Sequence, residues 1–139
     1  MIRTVVDTNV IVSSLISPLG NEAQILDAVQ RGRITPCLCW SILEEYADVL
    51  ARPKFQFSKG NIEGLLGLLR AKGIMFEPNP SPGVSPDPGD DDFIACAVAG
   101  DAEFIVTGNK RDFPAKSCGE MKVVSARELL DYLNTPQSR

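Results

Sequence analysis

The sequence predicts an α/β fold: a three-layer α/β/α sandwich around a central, mostly parallel sheet of about five strands. Short runs rich in Val, Ile and Phe alternate along the chain with longer segments whose apolar residues keep the period of a helix. Strands that alternate with helices are typical of parallel sheets covered by helices on both faces. The 139 residues suit one domain, which we place at 1–134, with a flexible tail at 135–139.

The predicted elements follow in chain order. Strands are expected at 2–6, 34–39, 74–76, 103–107 and 122–124, and helices at about 9–16, from Asn21 to Gly32, at 42–52, 59–72, 93–99 and from Ser125 to Leu133. Asn21 is expected to cap the second helix, and the Ser-x-x-Glu spacing at Ser41 and Ser125 predicts capping boxes for the third helix and the last. Pro36 favours an edge position or a bend in the second strand, because proline has no N–H to donate.

Composition places the chain among ordinary globular proteins. Hydrophobic residues make up 44% of it and charged residues 23%. No apolar run reaches the ~18 residues that span a bilayer, and the N-terminus opens directly into a strand pattern. We therefore expect a cytoplasmic protein without membrane contact. The four cysteines, none in CxxC spacing, are expected to be reduced thiols.

The absence of histidine is the most restrictive feature of the composition. It removes Ser-His-Asp and Cys-His catalysis and histidine acid/base chemistry, so an enzyme of this sequence depends on carboxylates, a metal ion or lysine. The net charge of −4 and the pI of about 4.8 are the opposite of what nucleic-acid binding through counterion release favours. They are compatible with a nuclease whose bound cations offset an acidic site.

Asp7 interrupts the apolar run 5–12 and has two interpretations. It caps the helix that follows, or it is a ligand, because a buried carboxylate without partners is strongly disfavoured. Ligands of open parallel sheets bind at the carboxyl ends of the strands. Asp7 ends the first strand, and Asn109 and Asp112 follow the fourth, so these side chains are expected to converge.

Two further acidic segments are candidates for the same site. The triplet 90–92 directly precedes the apolar run 93–99. One Asp suffices to cap a helix there, which leaves at least one carboxylate without a structural role. Glu44 is assigned to the predicted capping box, so Glu45, flanked by apolar residues in its helical row, is the candidate. The alternative is that Glu45 lies at the edge of a solvated face.

Carboxylates that gather in one cleft repel each other. Two unit charges about 4 Å apart cost on the order of 4 kcal/mol at an effective dielectric constant of 20, so a cluster requires a cation or shared protons. Oxygen ligands without imidazole or thiolate favour Mg²⁺ or Mn²⁺. Such an ion allows a phosphodiester to be hydrolysed without a nucleophile from the protein.

Four segments resemble the PIN-domain ribonucleases, in particular the VapC-like toxins of bacterial and archaeal toxin–antitoxin pairs. They are 5–9 (VVDTN), 41–46 (SILEEY), 90–97 (DDDFIACA) and 105–113 (IVTGNKRDF), and they occur in the family's order. The resemblance implies an α/β/α sandwich, usually a homodimer, that cleaves single-stranded or structured RNA with Mg²⁺ or Mn²⁺. It also implies a small antitoxin protein that covers the acidic groove.

The resemblance also assigns roles by position. The catalytic and metal-binding acids fall on Asp7, Glu45, Asp90 (with Asp91 as its alternative) and Asp112. Asp112 enters because Asn109 occupies the family's fourth acidic position. Asn9 is expected to brace Asp7, and Thr107 to contact a water or a phosphate. The candidates for contacts to the RNA backbone are Arg52, Lys54, Lys110 and Arg111.

Two other functions stay open. A strand-ending Asp7 is also typical of receiver and haloacid-dehalogenase-like folds, which form an aspartyl phosphate and require a late lysine such as Lys110 or Lys122. Asn9 stands where such folds place a second Asp. The other alternative is an inactive RNA-binding module in which Asn109 marks a decayed site. A covalent phosphate on Asp7 would indicate the first, and purified protein that cleaves no RNA with Mn²⁺ would indicate the second.

Overall fold

The protein is a parallel sheet wrapped by helices. A computed structural model describes residues 2–78, 88–113 and 121–135, with the backbone alone at 88–91 and 112. The strands are β1 (Ile2–Val6), β2 (Ile34–Leu38), β3 (Ile74–Met75), β4 (Phe104–Val106) and β5 (Lys122–Val124). They form one sheet in the order β3-β2-β1-β4-β5 with every neighbouring pair parallel. The predicted α/β/α fold with a parallel sheet is confirmed.

Six helices lie within the described residues, and two 3₁₀ turns connect them to their neighbours. They are α1 (Thr8–Ile16), α2 (Asn21–Gln30), α3 (Trp40–Leu50), α4 (Lys59–Lys72), α5 (Pro88–Ala99) and α6 (Ala126–Asn134), with the turns at Pro53–Phe55 and Lys110–Asp112. Successive strand residues point to opposite faces, and every residue of β2 and β4 is buried, so both faces of the sheet are covered. In the part of the chain that the structure describes, no helix combines the length and hydrophobicity that crossing a bilayer requires.

The central strand β1 brings two chain segments level with each other. Its residues 2–4 pair with β2 and its residues 4–6 with β4, so that Val6 lies opposite Val106. The Asp7 N–H extends this pairing by donating to the Val106 carbonyl (2.9 Å). The residues that follow β1 and β4 therefore leave the sheet side by side.

The helix starts show where local rules hold and where they do not. The capping box at α6 is confirmed, since Ser125 Oγ accepts the Glu128 N–H (3.1 Å) and Glu128 accepts the Ser125 N–H (2.9 Å). The box expected at Ser41 is wrong: α3 begins at Trp40 with Cys39 as its cap, because the chain turns into the helix as soon as β2 ends. Asn21 is likewise the first residue of α2, after Gly20, rather than its cap.

The expected edge position of Pro36 is also wrong, because β2 lies between β1 and β3. Leu38 turns its carbonyl toward β3 and accepts the Phe76 N–H (2.7 Å). Pro36, two residues earlier, faces the same side, but β3 pairs with β2 only from Cys37 onward. The missing N–H of the proline thus costs no hydrogen bond in the sheet.

The acidic triplet lies inside a helix rather than before it. α5 begins at Pro88, a residue suited to a first helical position, so 90–92 fall within the first turns. A helix that is apolar on every side, as 93–99 is, favours complete burial, but here Val98 is 66% exposed and Ala99 is exposed as well. Of the expected tail 135–139, Thr135 alone belongs to the described residues.

Candidate functional site

Asp7 lies at the carboxyl end of β1, where it caps α1. Its Oδ1 accepts the Thr8 N–H (2.8 Å) and its Oδ2 accepts the Thr107 hydroxyl (2.6 Å). The residue is 6% exposed, and its charge is stabilised by these donors and by the positive end of the α1 dipole. The capping interpretation of Asp7 is therefore confirmed. It does not exclude a ligand role, because a carboxylate has about four acceptor positions.

Two polar residues tie the segment after β4 to α1. Thr107 is 1% exposed, and its hydroxyl donates to Asp7 while accepting the Asn109 N–H (3.0 Å). The one proton of this hydroxyl is committed to Asp7, an arrangement that positions the carboxylate. The side-chain carbonyl of Asn9 accepts the Gly108 N–H (3.1 Å), so Asn9 holds this segment in place.

Glu45 of α3 reaches the same cleft. The Thr8 hydroxyl donates to Glu45 Oε2 while the Thr8 N–H binds Asp7, so one residue links two carboxylates that are distant in sequence. Glu44, one position earlier, is exposed. Glu45, and not Glu44, therefore lines the cleft of Asp7, and the capping box to which Glu44 was assigned is absent.

Tyr46 fixes α3 to the end of β1. Its hydroxyl donates to the Val6 carbonyl, and the residue is fully buried. Burial, and after it the nearby Asp7 charge, raises the pKa of the Tyr46 hydroxyl well above its ordinary value, so the group remains a donor at neutral pH. Because Tyr46 directly follows Glu45, this contact fixes the part of α3 from which Glu45 reaches Thr8.

An aromatic cluster joins α3 to the segments that carry the other candidate acids. The ring centroids of Tyr46 and Phe93 are 6.3 Å apart, and Phe93 meets Phe113 edge to face at 6.5 Å. All three residues are buried. Phe93 follows the triplet 90–92 and Phe113 follows Asp112, so the backbone of both acidic segments is tied to the helix of Glu45.

For three of the predicted acids the structure describes the backbone alone. The side chains of Asp90, Asp91 and Asp112 lie outside the described part of the structure. A helix that leads into a parallel strand runs back along the sheet, so the start of α5 lies at the carboxyl edge where Asp7 is found. Asn109 directly precedes the 3₁₀ turn at Lys110–Asp112 and is exposed.

The candidate RNA contacts lie in two places: Lys110 and Arg111 in the 3₁₀ turn after β4, and Arg52 and Lys54 at the 3₁₀ turn after α3. Lys110 forms an ion pair with Glu128 (2.5 Å), which ties the turn after β4 to α6. The hydrogen bond from Lys110, and then that from the Ser125 N–H, lowers the pKa of the Glu128 carboxyl. Arg52, in contrast, lines the cleft of Asp7 and Glu45. This cleft is open to solvent and has a volume of about 560 Å³.

The donors in the cleft fit a hard divalent cation. Asp7 and Glu45 offer carboxylate oxygens, the chain contains no histidine, and no cysteine is found among the described residues that line the cleft. Within the described side chains, no group of three Asp, Glu, Cys or His residues could hold a metal.

The buried thiols are separate from this chemistry. Cys37, Cys39 and Cys96 are free and buried, while Cys118 lies outside the described residues. Burial raises the pKa of the Cys37 thiol to about 11, so it stays protonated at neutral pH.

The chain is an α/β/α sandwich in which the carboxylates of Asp7 and Glu45 share a cleft at the carboxyl end of the central strand β1, and sequence comparison identifies its family. A family model described as PIN domain matches residues 3–111. The chain belongs to the PIN domain family, a family of nucleases that generally use divalent metal ions.

The chain is also similar to two particular proteins. An uncharacterised protein of Methanocaldococcus jannaschii, MJ1680, is 35% identical over 112 residues, which are 78% of this chain and 72% of the relative. Among solved structures, VapBC2 from Rickettsia felis, bound to a DNA fragment from its promoter, matches with a TM-score of 0.60 and 15% identity. That match covers 88% of this chain and 97% of the other. At such low identity it shows a shared fold alone.

Proposed function

We propose that this protein is a Mg²⁺- or Mn²⁺-dependent endoribonuclease that acts in the cytoplasm as the toxin of a type II toxin–antitoxin pair. The observation that carries the proposal is the linkage of Asp7 and Glu45 through Thr8 in an open cleft at the carboxyl ends of the central strands. Membership of the PIN domain family supports nuclease chemistry over the aspartyl-phosphate alternative.

Asp7 and Glu45 would hold the cation together with Asp90 or Asp91 and Asp112. A bound divalent cation neutralises phosphate charge and makes a water more acidic. The chain's own residues keep the described carboxylates in place: Thr107 and Thr8 donate hydrogen bonds to them. Preorganised ligands of this kind lose little freedom when the substrate arrives.

A cleavage assay tests the nuclease. Purified protein should cut a labelled RNA in Mg²⁺ or Mn²⁺ and not in EDTA, and Asp7→Asn and Glu45→Gln should reduce cleavage to the EDTA level. Glu44→Gln is the matched control for Glu45, and Asp27→Asn, at an exposed ion pair with Arg31, is the control for Asp7. Both controls should cut like the wild type. Metal-dependent cleavage retained by Asp7→Asn would refute the assignment.

The proposal also includes an antitoxin partner and a homodimer. The shared fold with VapBC2 supports an antitoxin partner. Expression of this chain alone should arrest growth, Asp7→Asn should not, and co-expression with a short neighbouring reading frame that encodes a DNA-binding N-terminus should restore growth. An active nuclease whose expression is harmless would instead be a housekeeping enzyme. Light scattering of the purified protein tests the homodimer.

A further inference from the structure

The cleft of Asp7 and Glu45 extends along α3 to an aromatic and basic turn. Asp48 and Arg52 lie about one and two helical turns beyond Glu45, and both line the same cleft. Phe55, in the 3₁₀ turn that follows α3, lines it as well. The cleft is therefore acidic where the candidate chemistry lies and carries a cation and an aromatic ring toward its other end.

Phe55 belongs to a stacked pair. Its ring centroid is 5.3 Å from that of Phe57, with the planes 6° from parallel. The Lys54 ammonium lies 5.0 Å from the centroid of Phe55. Both phenylalanines are half-buried and pack against the core, so part of each side chain remains exposed to solvent. Aromatic rings with neighbouring cations are typical of sites that bind unpaired bases and the adjoining phosphates.

The backbone between the two rings is unusual. Gln56 has φ 53° and ψ 31°, a left-handed conformation that disfavours residues with a Cβ atom. Such conformations persist where the surrounding structure holds them, often at binding sites. Here the left-handed residue ends the 3₁₀ turn and separates the two stacked phenylalanines in the sequence.

We propose that Phe55 stacks on a base of single-stranded RNA whose adjoining phosphates contact Arg52 and Lys54. This inference rests on the proposed nuclease function and narrows its substrate to unpaired RNA, since the bases of a duplex are already stacked on each other. Both cations can turn to a phosphate: Lys54 is exposed, so its ammonium is free to move off the Phe55 ring, and the ion pair of Arg52 with Asp48 (3.7 Å) joins two exposed side chains and is weak.

The binding of RNA in EDTA tests the proposal without interference from cleavage. Fluorescence anisotropy with a labelled single-stranded oligoribonucleotide compares the wild type with Phe55→Leu, which removes the ring, and Phe55→Trp, which retains one. Phe76→Leu is the matched control, because Phe76 is also half-buried, lies near a cation (Arg3, 5.8 Å) and does not line the cleft. Thermal melting of each variant verifies that it is folded.

Phe55→Leu should weaken single-strand binding about tenfold, within the range expected for the loss of one base stack. Phe55→Trp and Phe76→Leu should bind within about twofold of the wild type, and the same oligonucleotide annealed to its complement should bind equally to all four proteins. Arg52→Gln should reduce the slope of log affinity against log salt by about 0.7, the loss of one phosphate contact on a single strand.

Two outcomes would refute base stacking on Phe55: wild-type single-strand affinity in Phe55→Leu, or an equal loss of single-strand and duplex binding in that variant. The Mn²⁺ cleavage assay separates this failure from failure of the nuclease. If the wild type cleaves RNA and Phe55→Leu binds normally, base stacking on Phe55 is refuted and the nuclease function is retained. If the wild type neither binds nor cleaves RNA, both proposals fall.

Discussion

Replacement of Thr107 by valine tests how Asp7 is held. Valine has the shape of threonine without the hydroxyl, so the change removes the 2.6 Å hydrogen bond to Asp7 and the acceptor of the Asn109 N–H (3.0 Å). A hydrogen bond to a charged group contributes about 1.5–3 kcal/mol and a neutral one about 0.5–1.5 kcal/mol. We therefore expect Thr107→Val to lower the free energy of unfolding by about 2–4 kcal/mol. Folded domains have a free energy of unfolding of about 5–15 kcal/mol, so the variant should remain folded.

Thr107→Ser is the matched control. It keeps the hydroxyl and loses one buried methyl group, which costs about 1 kcal/mol. Urea unfolding measures both losses, and the Mn²⁺-dependent cleavage rate of each variant is measured beside it. Thr107→Val should cleave more slowly than the wild type and Thr107→Ser should cleave normally, because serine retains the donor to Asp7. An equal loss of stability in the two variants, or full activity of Thr107→Val, would refute this reasoning.

Three further predictions concern packing and titration. Gly64→Ala should stabilise α4 by about 0.5–1 kcal/mol because its Cβ enters open space. Gly73→Ala should destabilise the protein, since its Cβ would lie within 2.7 Å of two backbone carbonyl oxygens. Melting temperatures equal to that of the wild type would contradict both predictions. Lys110→Met should raise the pKa of Glu128, which that ammonium holds below its ordinary value. The Glu128 carboxylate contributes stability above its unfolded pKa, and this contribution is lost as the pH falls through the lower pKa of the folded protein. An NMR titration of the Glu128 carboxyl that is the same in Lys110→Met and in the wild type would contradict this prediction. Burial raises the pKa of the Cys37 thiol from 9.0 to about 11, so its contribution to stability is complete below pH 9 and is lost as the pH rises toward 11. The free energy of unfolding, measured with urea at a series of pH values, should fall less steeply with pH in Cys37→Ala than in the wild type. The same dependence on pH in both proteins would argue against this prediction.

The sheet was predictable because its strands carry their signal locally. β-branched and aromatic runs bounded by turn residues stand out in any window of the sequence, and their alternation with helices implies parallel pairing. The position of a strand within the sheet has no such local signal. Pro36 therefore suggested an edge, whereas the short length of β3 allows a proline in an interior strand.

The shared position of Asp7 and Glu45 was predictable, because Asp7 stands beside a strand end and Glu45 lies in an apolar helical row. The role of Thr107 was not, because its partner lies 100 positions away in the chain and a threonine after a strand is ordinary. Phe55 also gave no signal of its own: it becomes noticeable only when the end of α3 places it in the cleft with Arg52.

The central claim is that Asp7 and Glu45 hold one divalent cation. Crystals grown with Mn²⁺ test it most directly, because anomalous diffraction at the manganese edge locates the ion independently of any enzymatic assay. We predict a peak about 2.0–2.4 Å from a carboxylate oxygen of Asp7, with Glu45 bound to the ion directly or through one water. Manganese ordered elsewhere on the protein, with neither of these carboxylates near it, would contradict the account.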